Sequence, residues 1–201
     1  KSYAERLFLY PAVGALNPAD ARVAIEQPVA DEGAHIASQA LDEIVQQTQG
    51  YPYFLQEWGY HCWNLAEGET IEHADATAAA TAATRRLDEG FFKVRFDRLT
   101  PKEREYVLAM AALGPGPYRS SDVAEKLGES QQNLGPRRAQ VIAKGMVYSP
   151  SHGDIAFTVP MFHEYLLRNF IFLRAARRGE PQEPLYKQYW ARFDEIGRAH
   201  V

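Results

Sequence analysis

The sequence predicts a mainly α chain, a group of helices followed by a winged helix-turn-helix with a small β-wing. Three observations predict it. Helix-start signals recur at Asn17-Pro18, Ser38, Pro52 and Thr100-Pro101. Glycines that can stop a helix follow apolar stripes of helical period, at Gly50, Gly128 and Gly145. Late in the chain, "MVY" and "DIAFTVP" alternate on either side of "SPSHGD", a hairpin signal behind three helices.

Taken in order, "RLFLYPAV" reads as an apolar strand with no local partner. Residues 1–16 are therefore expected to be the last strand of a sheet that lies upstream. In "NPADARVAIEQPV" Asn17 is the N-cap, Pro18 the first helical residue and Asp20 a favourable first-turn charge, and the helix should end before Pro28. "SQALDEIVQQTQG" starts a second helix at Ser38, which Gly50 should stop in a left-handed conformation. Pro52 opens a third, with Phe54, Leu55, Trp58 and Cys62 along one stripe. The Ala-rich stretch from His73 predicts a long helix, bent near Gly90. This helical group spans 17–97.

The winged helix-turn-helix is expected over 98–170. Thr100 and Glu103 form a capping box around Pro101, with Tyr106, Val107, Met110 and Leu113 on one face. "RSSDVAEKLG" is a short helix ended by Gly128. The next helix ends at Gly145, and Pro136 should delay its regular part to about Asn133–Gly135. "MFHEYLLRNFIFLRAARR" closes with an apolar-faced helix, and 171–201 form a helical extension and tail. The final "EIGRAHV" reads like a translated sequencing adapter, so 195–201 are expected not to be native.

The charge balance is uneven. Of a net −4, residues 1–100 hold 8 Lys/Arg against 15 Asp/Glu, and residues 101–178 hold 11 against 7. An acidic first half and a basic second half point to two modules with different partners. No apolar run is long enough to span a membrane, and the single Cys62 excludes an internal disulfide framework. His61 beside Cys62 is poor zinc-ligand spacing, so no metal is expected. A cytoplasmic setting follows from this cysteine usage.

Two candidate sites emerge. From Gln131 to Tyr148 there are three cations, Arg137, Arg138 and Lys144, and no acid. Gln131, Gln132, Asn133 and Gln140 add amides that can bond phosphates or base edges, and His152 falls at the wing tip. Double-stranded DNA is the expected partner, with docking of a protein as the alternative. The other site is the junction Gly50-Tyr51-Pro52. A helix start offers N–H groups to an anion or a ring edge, but on pattern alone the crowd of Tyr51, Tyr53, Phe54 and Trp58 reads first as core packing.

The stretches "KSYAERLF", "TQGYPYFLQEWG", "VRFDRLTPKEREYVLAMAALGPGPYRS" and "IAKGMVYSPSHGDIAFTVP" resemble the C-terminal part of prokaryotic AAA+ (STAND-like) ATPases related to the archaeal origin-recognition initiators. The resemblance covers about residues 1–170. It implies that 1–16 end a nucleotide-binding core, that 17–97 are its helical lid, and that a winged helix follows. It implies a GxP motif at Gly50, Tyr51 and Pro52 lying against adenine. Arg6 matches an arginine just after the sensor strand, and reads as an arginine finger or as a surface arginine. ATP and Mg²⁺ are implied for the full-length parent, which would be an ATPase and could self-associate through its core. This chain holds no G-x-x-x-x-G-K-[ST] loop, and no acidic Walker-B strand precedes Lys1. It is therefore expected to be inactive by itself and to bind no nucleotide tightly.

Overall fold

The computed structural model describes residues 14–172, which are mainly helical with two small sheets. The chain divides into two compact units, Lys1–Leu87 and Asp88–Val201. The expected strand up to residue 13, Arg6, and the tail beyond 172 with Glu195–Val201 lie outside the described residues.

In the first unit, α1 (Pro18–Asp31) starts as expected, with Asn17 Oδ1 accepting from the Asp20 N–H at 3.0 Å. It does not stop before Pro28, which lies inside the helix. Pro28 gives up one bond to the Ala24 carbonyl, but both residues are exposed, so water can serve that oxygen. Val29, buried beside it, holds the last turn to the core. β1 (His35–Ile36) then pairs in parallel with β2 (Thr70–Ile71), His35 opposite Thr70.

α2 (Ser38–Thr48), α3 (Pro52–Leu65) and α4 (His73–Leu87) complete this unit. Leu41 and Ile44 of α2 and Phe54, Leu55, Trp58 and Cys62 of α3 are buried, the stripe the spacing predicts. Each large side chain buried this way contributes roughly 1.5–3 kcal/mol. Ala76, Ala79 and Ala83 are fully buried on the face of α4 that packs on α2 and α3. Small residues at i, i+3 and i+7 let that helix approach closely.

The second unit opens with a π turn, Asp88–Phe92, which contains Gly90, and a short helix α5 (Lys93–Asp97). The bend expected near Gly90 is thus a local π turn. Residues 88–97 pack with this unit, ten residues ahead of the expected division. Asp88 accepts from the Arg168 guanidinium at 2.7 Å and from the Asn169 amide at 3.0 Å. Phe92 stacks on Tyr165, and Phe96 lies 4.3 Å from Phe170 between ring centres.

α6 (Pro101–Ala111) carries the predicted capping box, in which the Thr100 N–H donates to Glu103 Oε2 at 2.6 Å. After β3 (Tyr118–Arg119) comes α7 (Ser120–Leu127), ended by Gly128 at φ 66°. α8 (Gln131–Ala143) follows, then the hairpin of β4 (Val147–Tyr148) and β5 (Asp154–Phe157), and α9 (Phe162–Leu166) with a π segment, Leu167–Phe172. The antiparallel strand order β3-β5-β4 behind α6, α7 and α8 is a winged-helix-like arrangement.

α8 starts before the expected Asn133–Gly135 and takes Pro136 inside it. Ser130 Oγ accepts from the Asn133 N–H, which fixes the first turn. Leu134 and Val141, both buried, anchor one face on each side of the proline. Pro136 and Gln132, whose carbonyl loses its partner, are exposed. Packing overrides the local cost.

Candidate functional site

At the first junction, Gly50 is buried at φ 69° and its carbonyl accepts from the Leu16 N–H at 2.8 Å. A Cβ there would stand 2.3 Å from the Leu16 carbonyl oxygen, so only glycine fits. Gln49 is the left-handed C-cap of α2, one residue before the expected stop, and Gly50 continues the reversal. Tyr51 is the N-cap of α3, its ring 4.6 Å from that of Phe54.

This helix start offers few donors. Pro52 has no N–H, and the N–H groups of Phe54 and Leu55 both donate to the Tyr51 carbonyl. What the junction presents is the exposed Pro52, the half-buried Tyr51 ring and Tyr53 at 41% exposure. Such a surface suits the edge or face of a planar ring better than an anion. Further along α3, burial pushes the Cys62 thiol up to about 12, helped by Asp75 and Glu43, so it is inert. Among the described residues no three metal-ligating side chains come together, and no helix is long and apolar enough to cross a membrane.

In the second unit, the residues proposed for nucleic acid separate into three groups. Gln132, Asn133 and Gln140 are exposed on α8, and Asn133 and Gln140 share a face with Arg137. Arg137 donates through two nitrogens to both carboxylate oxygens of Glu129, at 3.1 and 3.3 Å, and its side chain is 14% exposed. Lys144 Nζ donates to Glu103 at 2.6 Å and to the Arg98 carbonyl at 3.0 Å. Glu103 itself is 2% exposed. Burial disfavours its charge, but Lys144 and the Thr100 N–H outweigh that and hold its carboxyl below the usual range.

Arg138 is different. It donates to Ser149 Oγ at 2.9 Å and to the Asp154 carbonyl at 3.1 Å, and among the described residues it meets no carboxylate. It therefore ties α8 to the wing while keeping an uncompensated charge. Beside it opens a cleft of about 370 Å³ that His152, at the wing tip, also lines. Sequence reasoning named Arg138, Gln131 and His152, which line this cleft together, but missed three other polar wall residues, Tyr106, Ser120 and Ser149. Tyr106 was assigned to the apolar face of α6, and it is indeed 1% exposed. The available signal was a tyrosine where phenylalanine would pack equally well. Burial pushes its phenol up from its ordinary pKa, while Arg138 and Arg137 pull it down.

Comparison with known proteins adds little to this geometry. Residues 89–166 match a family model described as a domain of unknown function (DUF8462), which covers less than half of the chain. No curated protein matches. Among solved structures, the Thermotoga maritima RuvB Holliday junction branch migration motor is 12% identical over 77% of this chain and 50% of its own, at a TM-score of 0.37. A mutant form of the same protein gives the same identity and TM-score over 49% of its length. The chain spans about half the length of the RuvB chains it matches. At this identity and TM-score the likeness assigns the chain to no family.

Proposed function

We propose that this chain is the lid and DNA-binding winged-helix part of an ATP-binding AAA+ or STAND-like ATPase, with the parent's nucleotide state controlling the winged helix. On this reading Gly50, Tyr51 and Pro52 lie against the adenine. The exposed ring surface of the junction fits a base, and its scarcity of N–H donors does not fit phosphate. The phosphate-binding loop and the Mg²⁺ ligands belong to the parent's core, and the chain alone does not hydrolyse ATP.

The observation that carries the DNA reading is Arg138, a cation without a carboxylate partner, set beside the wing. Phosphate contacts position a protein on the duplex, and amides reach base edges. The test is a salt titration of fluorescence anisotropy on two unrelated duplexes. Arg138→Gln should weaken both similarly and lower the log–log salt slope by about one. Gln140→Ala should act unevenly between them. No binding to either duplex at low salt would sink the reading. A second reading, docking of a protein partner, is favoured by the pairing of Arg137 and Lys144 with carboxylates, which leaves the outward face of α8 uncharged.

A further inference from the structure

The cleft between α8 and the wing is rich in donors and poor in partners. Its wall includes Tyr106, Ser120, Gln131, Arg138, Ser149 and His152, and no carboxylate lines it. Tyr106, 1% exposed as a residue, also lines this wall. Ser120 Oγ and Arg138 Nε, both buried, have no hydrogen-bond partner. Buried polar groups are nearly always satisfied, so two unmet groups on the wall of one cleft point to something that completes them. Gln131 begins a 13-residue helix there, whose N-terminus adds partial positive charge.

The chemistry of the wall selects the ligand. A cation would find no counter-charge, and an apolar group would leave the donors unmet. A neutral polar group would not balance Arg138. A tetrahedral oxyanion meets every requirement, because its oxygens accept from several directions and its charge answers the guanidinium.

We propose that this cleft is a binding site for a phosphate group. The phosphate comes from one of two sources, a phosphodiester of duplex DNA or the phosphate ester of a free small molecule. The cleft is large enough for a small molecule of that kind. The duplex source rests on the DNA reading above, whereas the site itself does not.

The experiment uses the full 201-residue chain and two variants, Tyr106→Phe and Ser120→Ala. Each removes one hydroxyl from the wall, so neither should lower the melting temperature in the absence of phosphate. Inorganic phosphate, against chloride at matched ionic strength, should raise the melting temperature of the wild type, as a ligand of the folded state does. Both variants should bind phosphate about tenfold more weakly. Duplex anisotropy then identifies the source. Parallel weakening on two unrelated duplexes assigns the cleft to DNA phosphodiesters. Unchanged duplex binding, or none in any form, assigns it to a free phosphate ester, and the absence of binding removes the DNA reading while the site stands. A wild type that phosphate does not stabilise overturns the proposal, whatever the duplex does. So does unchanged phosphate affinity in both variants.

Discussion

Replacing Lys144 with Ala should destabilise the second unit and leave any contact with DNA untouched. The ammonium is the only cation on Glu103 among the described residues, and the carboxylate is 2% exposed. Removing one partner of a fully buried pair costs about 3–5 kcal/mol, because the other charge stays behind. Here the Lys144 side chain is 35% exposed, so water can reach its place. The Thr100 N–H still donates to Glu103. Discounted for that screening, the loss is about 1–3 kcal/mol. For a unit of this size it lowers the melting temperature by about 4–20 °C. Thermal unfolding followed by circular dichroism measures it. A double-mutant cycle with Glu103→Gln should show that the two losses are not additive, since each removes the same contact. If the salt slope of DNA binding fell by about one while the melting temperature held, Lys144 would be a phosphate contact and the reasoning would be wrong.

Three further outcomes are expected. Gly50→Ala should destabilise the first unit by more than the usual 1 kcal/mol or so of a lost left-handed glycine, because the new Cβ meets the Leu16 carbonyl; a melt unchanged from wild type would contradict this. Pro52→Ala in a restored parent should weaken adenine nucleotide binding with the fold intact, and unchanged affinity by calorimetry would return the junction to packing alone. Glu103 has a folded-state pKa held below its ordinary 4.5, so the stability it contributes is present above pH 4.5 and is lost as pH falls below that value. The stability gap between wild type and Glu103→Gln should therefore close in acid, and a gap that widened would reverse the assignment.

Much of the fold was legible because its signals are local. The Asn17 cap, the Thr100–Glu103 capping box and the left-handed glycines at 50, 128 and 145 act within a turn, so a few residues suffice to read them. Pro28 and Pro136 misled for the same reason. A proline's cost is local, but Val29, Leu134 and Val141 offset it through contacts that no window of sequence contains. β3 escaped notice because two residues, Tyr118 and Arg119, carry no period of their own and pair only with a strand more than thirty residues away. The cleft was half legible. Arg138 and His152 advertise themselves as polar residues, whereas the Tyr106 hydroxyl is visible only once the helix around it is known to be buried.

The charge count shows what is at stake in that difference. Between Gln131 and Tyr148 the sequence has three cations and no acid, but the compensating carboxylates, Glu129 and Glu103, sit just outside that window or far from it. If all three cations met phosphates, the log–log salt slope would be about −2.7, and affinity would fall about fortyfold between roughly 50 and 200 mM salt. With Arg138 alone the slope is about −0.9, and the fall over the same range is only about three- to fourfold. The paired state predicts the smaller figure, since Arg137 must surrender two bonds to Glu129, and Lys144 must strand a buried carboxylate, before either can reach DNA. Anisotropy at four or five salt concentrations separates the two cases on a single duplex. A fall near fortyfold would mean that both ion pairs open on binding. Glu129→Gln would then strengthen binding by freeing Arg137 in advance, whereas in the paired state with Arg138 alone in contact it should leave affinity nearly unchanged.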